Sequence, residues 1–146
     1  MKRKELVLLY QFPDDENFAL LKKTLHKMGI ETKELQGDAW REKVGYLLGM
    51  KGFRAAKPDP EETFDFPNEV MLMQNIRNKR LDAVLLALKE AGVPHIKFKA
   101  VVTPFNTFWT LKRVCENMQK EHAFMMEQED RKIQKELEKE QKESKK

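Results

Sequence analysis

The chain has 146 residues, of which 40% are hydrophobic and 36% are charged, and nine of them are Phe. This length suits one domain with a single core, and the hydrophobic content excludes an intrinsically disordered chain. The formal net charge of +4 comes from short clusters such as residues 1–4 and 77–80. These clusters do not form the continuous basic stripe expected of a nucleic-acid groove.

Cysteine content and apolar runs predict the cellular compartment of the protein. The single cysteine, Cys115, cannot form an internal disulfide, which favours a reducing compartment. The apolar run at residues 6–10 is too short for a signal peptide, and no stretch approaches the length of a membrane span. We therefore expect a soluble, cytoplasmic protein with no membrane contact.

Hydrophobic periodicity predicts the same kinds of element in each half of the chain. For the first half it predicts a strand over 6–12, a helix from Asp14 to Met28 ended by Gly29, a charged strand over 30–35 and a short helix from Trp40 to Leu48. A proline-rich loop follows over 51–67. For the second half it predicts a strand over 69–76, a helix from Leu81 to Ala91 ended by Gly92, a strand over 95–103 and a long helix from about Thr107.

The last helix changes character along its length. Apolar residues spaced by three and four positions predict a core-facing stripe of Phe108, Leu111, Cys115, Met118, His122 and Met125. Residues 127–146 hold seven acidic and seven basic side chains and few apolar ones. We therefore predict a single α+β domain over 1–126 and a charged helical or frayed tail over 127–146.

The two halves resemble each other. Residues 7–30 align with 70–93 without a gap, which places Gln11 opposite Gln74 and Gly29 opposite Gly92. A doubled βαβ unit is the basis of a ferredoxin-like sandwich, so we predict that fold, with an inserted helix and a long C-terminal helix. The alternative is an α/β doubly wound parallel sheet, because strands and helices alternate.

Side-chain chemistry predicts which strands are central. The first and third are apolar on both faces, whereas the second and fourth carry charges at alternate positions, as edge strands do. On the gapless alignment, Val7, Leu9, Val70 and Leu72 face the two main helices. The opposite face must then be covered by the Trp40–Leu48 helix, by the C-terminal helix or by a second copy of the chain.

Catalytic and cofactor motifs are absent from the sequence. It contains no phosphate-binding glycine loop, no zinc-ligand spacing and no nucleophile elbow, so no metal or cofactor is expected. Cys115 and His122 lie two helical turns apart, about 10 Å along the axis, which is too far for a nucleophile and its base. Aromatic side chains suited to stacking RNA bases occur on the first strand, at Tyr10 and Phe12, but not on the third.

The segment 99–111, KAVVTPFNTFWTL, is the best candidate for a binding site. Thr103, Asn106 and Trp109 follow the end of a strand, where a new helix directs unpaired N–H groups outward. Gln74, Asn75, Arg77 and Arg80 follow another strand end and suit an anion. The same residue types also suit a purely structural joint between a strand and a helix. The segment after residue 35 shows no counterpart to Thr103–Asn106.

These residues also carry a family resemblance. The strand over 69–76, the helix up to Gly92, and KAVVT at 99–103 followed by Asn106 and Trp109 resemble a bacterial family of domains of unknown function (number 3783), over about residues 70–126. The resemblance implies no assigned activity and supplies no catalytic residues.

We therefore expect a small module without catalysis, which binds either a small ligand, such as an anion, or a protein partner. One alternative is a structural module that forms a homodimer through the apolar sheet face or the tail. The other is an RNA-binding module of ferredoxin-like topology, which the sequence favours least.

Overall fold

The computed structural model describes residues 4–144, without the side chains of residues 124–130 and 142–144. The first half contains β1 (Leu6–Tyr10), α1 (Glu16–Lys27), β2 (Glu31–Leu35), a 3₁₀ turn (Ala39–Arg41) and the short helix α2 (Val44–Leu47). The second half contains β3 (Val70–Gln74), α3 (Asn78–Glu90), β4 (Phe98–Val101), a 3₁₀ turn (Asn106–Phe108) and the long helix α4 (Leu111–Ser144).

The four strands form one mixed sheet in the order β2-β1-β3-β4. β1 pairs in parallel with β2, and β3 pairs in parallel with β4. The two halves join through the antiparallel pair β1–β3, centred on Leu8 and Leu72. β1 and β3 are therefore central and β2 and β4 lie at the edges, as the charge pattern predicted.

The α+β class is confirmed, but the ferredoxin-like topology is not. In a split βαβ unit another strand separates the two strands that the helix connects. Here both strands of each unit are direct neighbours. The doubly wound parallel alternative is also not found, because the central pair is antiparallel.

Both main helices end in the same way. Gly29 and Gly92 adopt positive φ angles of 76° and 88°, and the residue after each donates to a carbonyl five positions back. This is the Schellman motif, which favours glycine. At the start of α1, Asp15 accepts the N–H of Phe18, as an N-cap should. The predicted helix ends are confirmed, while α3 begins three residues earlier than predicted.

The sheet separates two hydrophobic clusters. Val7, Leu9, Met71 and Met73 face α1 and α3, whereas the opposite cluster includes Leu8, Tyr10, Val70 and Leu72. The prediction for β1 is confirmed, and the prediction for β3 is wrong. The alignment that matches the two helices pairs the residues of β1 and β3 one position out of register. A shift of one residue turns every strand side chain to the other face.

The second face of the sheet is covered within the chain. Its cluster includes Val44 and Leu47 of α2, Phe66 of the long connection, and Leu111, Val114, Cys115 and Met118 of α4. Two of the three predicted covers are therefore present. This burial closes the face on which an RNA-recognition module would stack bases, and Tyr10 is only 4% exposed. It also removes the sheet face as a dimer surface.

Beyond the core, α4 continues as a helix through Ser144. The side chains of residues 131–141 are exposed, including Ile133 and Leu137. Leu111, Cys115 and Met118 of the predicted stripe are buried, while the side chain of Met125 lies outside the described residues. The division at residue 126 stays a prediction.

Candidate functional site

The segment between β4 and α4 is a corner held by its own side chains. The amide of Asn106 accepts the N–H of Thr103 at 2.8 Å and donates to the carbonyl of Val101 at 3.0 Å. The hydroxyl of Thr103 accepts the N–H of Asn106 at 3.1 Å. These bonds satisfy backbone groups where the sheet ladder stops and the helix ladder has not begun. The polar groups predicted to bind a ligand are thus engaged inside the corner.

The first half has a counterpart to this corner, contrary to the sequence-based prediction. The 3₁₀ turn at Ala39–Arg41 leads into α2 as the turn at Asn106–Phe108 leads into α4. The two joints bind each other: Val44 N–H donates to Trp109 O, and Leu111 N–H donates to Glu42 O, each at 2.9 Å. The similarity escaped the sequence because the first turn has no Thr–Asn pair, and its cap residue Asp38 makes no capping bond.

Three phenylalanines lie exposed or half-buried at these joints. Phe105 is 80% exposed and Phe108 is 64% exposed. The ring of Phe53 lies 5.5 Å from that of Phe108 and packs directly on Gly45 of α2, where a Cβ would overlap it. We call Phe53, Phe105 and Phe108 the aromatic patch. Phe108 was predicted to belong to the α4 core stripe, and that prediction is wrong because it precedes the helix.

Trp109 lies at the edge of the same corner. Its ring is half-buried against the cluster under α4, and the guanidinium of Arg113 lies 4.2 Å from the ring centroid. This cation–π contact fixes an exposed arginine beside the aromatic patch. The backbone carbonyl of Trp109 accepts the bond from α2.

The other predicted site residues lie at the carboxyl end of β3, where two of the four are engaged in structural contacts. Arg80 makes two bonds of 2.8 Å to the carboxylate of Glu5 and a third to Met28 O. Donation of these hydrogen bonds to Glu5 raises the pKa of Arg80. Asn75 has a φ of 62° and donates to Lys4 O at 2.7 Å.

Gln74 and Arg77 complete this group. Gln74 is half-buried as the last residue of β3, while Arg77 is exposed and makes no side-chain cap bond to α3. Gln11 occupies the equivalent place after β1. Its φ is 64°, and its amide donates to Phe66 O and Asn68 O. The structural counterpart of Gln11 is therefore Asn75, not Gln74.

A polar cleft of about 630 Å³ lies at the carboxyl ends of β1 and β2. Several of its polar groups already have partners. The hydroxyl of Tyr10 donates to Gly37 O at 2.6 Å, and Lys22 pairs with Glu34 at 2.6 Å. The cleft was not predicted. Its lysine is paired with Glu34, and the other charged side chain that lines it is the exposed Asp14.

Cys115 is not placed as a nucleophile. Its side chain is fully buried under the sheet, and burial raises the pKa of its thiol to about 12. His122 packs edge-on against Phe98, with ring centroids 5.7 Å apart. A buried neutral thiol behaves as a small hydrophobic side chain.

The described part of the chain holds neither a cluster of metal ligands nor a membrane-spanning helix. Within residues 4–144, excluding the side chains not described, no group of three or more His, Cys, Asp or Glu is placed to hold a metal ion. The same residues include no helix with the length and apolarity needed to cross a membrane.

Comparison with known proteins finds a family match for part of the chain. No curated protein and no solved structure matches it. A family model matches in the second half, while the first half repeats the order β–α–β–3₁₀–α outside the matched range. Residues 69–125, which hold β3, α3, β4, the corner and the start of α4, match the family described as Domain of unknown function (DUF3783), which confirms the resemblance seen in the sequence.

Proposed function

We propose that the protein is a non-catalytic module that binds a partner protein through the aromatic patch. The observation that carries the proposal is the exposure of Phe105 and Phe108, at 80% and 64%, on a corner fixed by hydrogen bonds. Burying one phenylalanine gains about 1.5–3 kcal/mol, and aromatic anchors supply much of the energy at protein interfaces. Thr103 and Asn106 then hold the corner, and Trp109 with Arg113 extends its edge.

The rigidity of the corner favours this role. Both joints hold each other through the reciprocal bonds of Val44 and Leu111, so the position of Phe108 relative to α2 is fixed. Phe53 is fixed in turn by its contact with Gly45. A preorganised surface loses little conformational entropy on binding, which leaves more of the burial energy for affinity.

The charges around the patch indicate the partner's chemistry. Residues 43–58 contain four basic and no acidic side chains. Residues 103–115 contain Lys112, which pairs with Glu62 at 3.8 Å, and Arg113, and no acidic side chain. Glu42, at the edge of the first segment, directs its carboxylate to the N–H of Ala56. An acidic segment with one or two apolar anchors would complement this surface. A cytoplasmic location is part of the proposal and is supported by the lone cysteine.

Selection of peptides from a displayed random library tests the proposal. We expect enriched peptides to be acidic with apolar anchors, and to bind Phe108→Ser roughly 30-fold more weakly than the unmodified protein, as loss of a binding hot spot predicts. Leu86→Ser is the matched control, because Leu86 is 55% exposed on α3, away from the patch. Equal loss in both variants, or no loss in either, would overturn the proposal.

Measurements on the unmodified protein and the Phe108→Ser variant also test two alternative functions. Self-association in sedimentation velocity that Phe108→Ser abolishes would make the patch a homodimer surface. Binding of single-stranded RNA with a steep salt dependence would support the nucleic-acid alternative, because aromatic side chains within a basic surface can also stack bases.

A further inference from the structure

A groove between α3 and the edge strand β4 has no counterpart of the same chemistry in the first half. Its volume is about 360 Å³, within the range of small-molecule sites. Leu85 and Leu88 of α3 form one wall, and Val93, Pro94 and Ile96 form the other, with Met71 at the floor. It lies on the opposite face of the sheet from the aromatic patch.

The outer wall is an addition to the repeated unit. In the first half one residue, Ile30, separates the Schellman glycine from β2, whereas five residues, 93–97, separate Gly92 from β4. Four residues of this longer segment, Val93 to Ile96, line the groove. Ile96 is buried, while Pro94 and His95 stay exposed at the mouth.

The matching place in the first half shows that the fold does not require an apolar groove there. The surface between α1 and β2 is lined by polar side chains, namely Lys22, Lys23, His26, Lys27, Thr32 and Glu34, together with Ala19. Lys22 pairs with Glu34, and His26 with Thr32. Leu85 stands where the first half has Lys22. The second half thus has a hydrophobic wall where the first half has a solvated ion pair.

The charged side chains among the described residues that line the groove are Lys89 and Lys99, and none of these residues is acidic. Lys99 is half-buried and donates to Ile96 O at 2.9 Å, which uses one of the three donors of its ammonium. Among the described residues, no carboxylate forms an ion pair with Lys99. An anion that accepts hydrogen bonds would stabilise this half-buried ammonium, because it lies at the side of an apolar groove.

We propose that this groove binds a small amphipathic carboxylate. Its hydrocarbon part lies between Leu85, Leu88 and Val93, and its carboxylate accepts hydrogen bonds from Lys99. Lys89 adds positive potential to the groove, and exposed His95 offers a ring nitrogen as a hydrogen-bond donor at the mouth.

Octanoate is a suitable probe, with 1-octanol and octylammonium as neutral and cationic analogues of equal chain length. In methyl and amide NMR titrations, octanoate should give saturable shifts centred on Leu85, Val93 and Lys99. We expect octanol to bind roughly tenfold more weakly and octylammonium more weakly still, because only the carboxylate gains charge-assisted bonds. Shifts that map elsewhere, or equal affinity for octanoate and octanol, would overturn the proposal.

Matched variants separate the roles of the two parts of the groove. Leu85→Gln should weaken octanoate binding roughly tenfold, while Leu86→Gln on the next, exposed position should not. Lys99→Gln should reduce octanoate to the affinity of octanol, while Lys97→Gln should keep the preference, because the ammonium of Lys97 lies over the ring of Phe98. Equal effects within either pair would count against the site. Phe108→Ser should leave octanoate binding unchanged, so failure of either proposal leaves the other testable.

Discussion

Replacing Asn106 with alanine separates a structural corner from a ligand-binding one. The side chain makes two hydrogen bonds, to Thr103 N–H at 2.8 Å and to Val101 O at 3.0 Å. At about 0.5–1.5 kcal/mol each, their loss should lower the free energy of unfolding by about 1–3 kcal/mol. Urea denaturation measures this as a lower midpoint with an unchanged slope.

Two further variants grade the effect. Asn106→Asp keeps the acceptor for Thr103 but, while ionised, sets an anionic oxygen against Val101 O. Protonation at low pH supplies an O–H that can donate to Val101 O, so this variant should gain stability relative to the alanine variant as the pH falls. Phe105→Ala, at the exposed neighbouring position, should stay within about 0.5 kcal/mol of the unmodified protein. If Asn106→Ala unfolds at the same urea concentration as the unmodified protein, the amide does not hold the corner, and our account of it fails.

Three other substitutions test specific contacts. Arg80→Ala should lower the free energy of unfolding by about 1–2 kcal/mol, after allowance for partial exposure. The control Arg77→Ala, at an exposed position, should change it very little. Equal urea midpoints for the two variants would contradict the role of the Glu5 pair. Gly45→Ala should destabilise by about 1–3 kcal/mol because the new methyl displaces the ring of Phe53, and a Phe53→Ala background should remove most of that cost. The thiol of Cys115 should resist iodoacetamide until urea unfolds the chain. Because its pKa is raised from 9.0 to about 12, the unfolded state loses the proton first, so stability should fall from pH 9 to 12 by up to about 1.4 kcal/mol per pH unit, a component that Cys115→Ala should lack.

Local patterns in the sequence predicted the elements and the helix ends well. Gly29 and Gly92 each end a helix because the Schellman motif needs a positive φ, which is a property of single residues. The central and edge positions of the strands followed from their charges in the same local way.

The pairing of the strands could not be predicted in this way, because it depends on contacts distant in sequence. A connection of more than twenty residues joins α2 to β3, and periodicity does not say whether β3 then runs parallel or antiparallel to β1. The face of β3 was also misassigned. The gapless alignment followed the helices, where Gly29 matches Gly92, and missed that Gln11 matches Asn75 at the strand ends.

Whether the corner is a binding site stays a prediction, but the structure shows roles for its side chains that the sequence did not indicate. Thr103 and Asn106 are polar residues at a strand end, and their side chains bond to backbone N–H groups. Exposure of Phe105 and Phe108 could not be read from their type, because phenylalanine near a helix start is usually buried. The groove beside Lys99 left one signal in the sequence, the four extra residues before β4.

The counterpart corner in the first half changes where a function should be sought. Each joint donates a backbone N–H to a carbonyl of the other, through Val44 and Leu111, so the two joints stabilise each other. What differs between the halves lies outside the joints. In the first half the helix stops at Leu47 and the following loop places Phe53 on Gly45, while in the second half Phe108 projects toward that ring. The joint is present in both halves, whereas the aromatic patch combines parts that differ between them. The exposed rings, more than the polar pair beneath them, are therefore the surface on which a partner should be tested first.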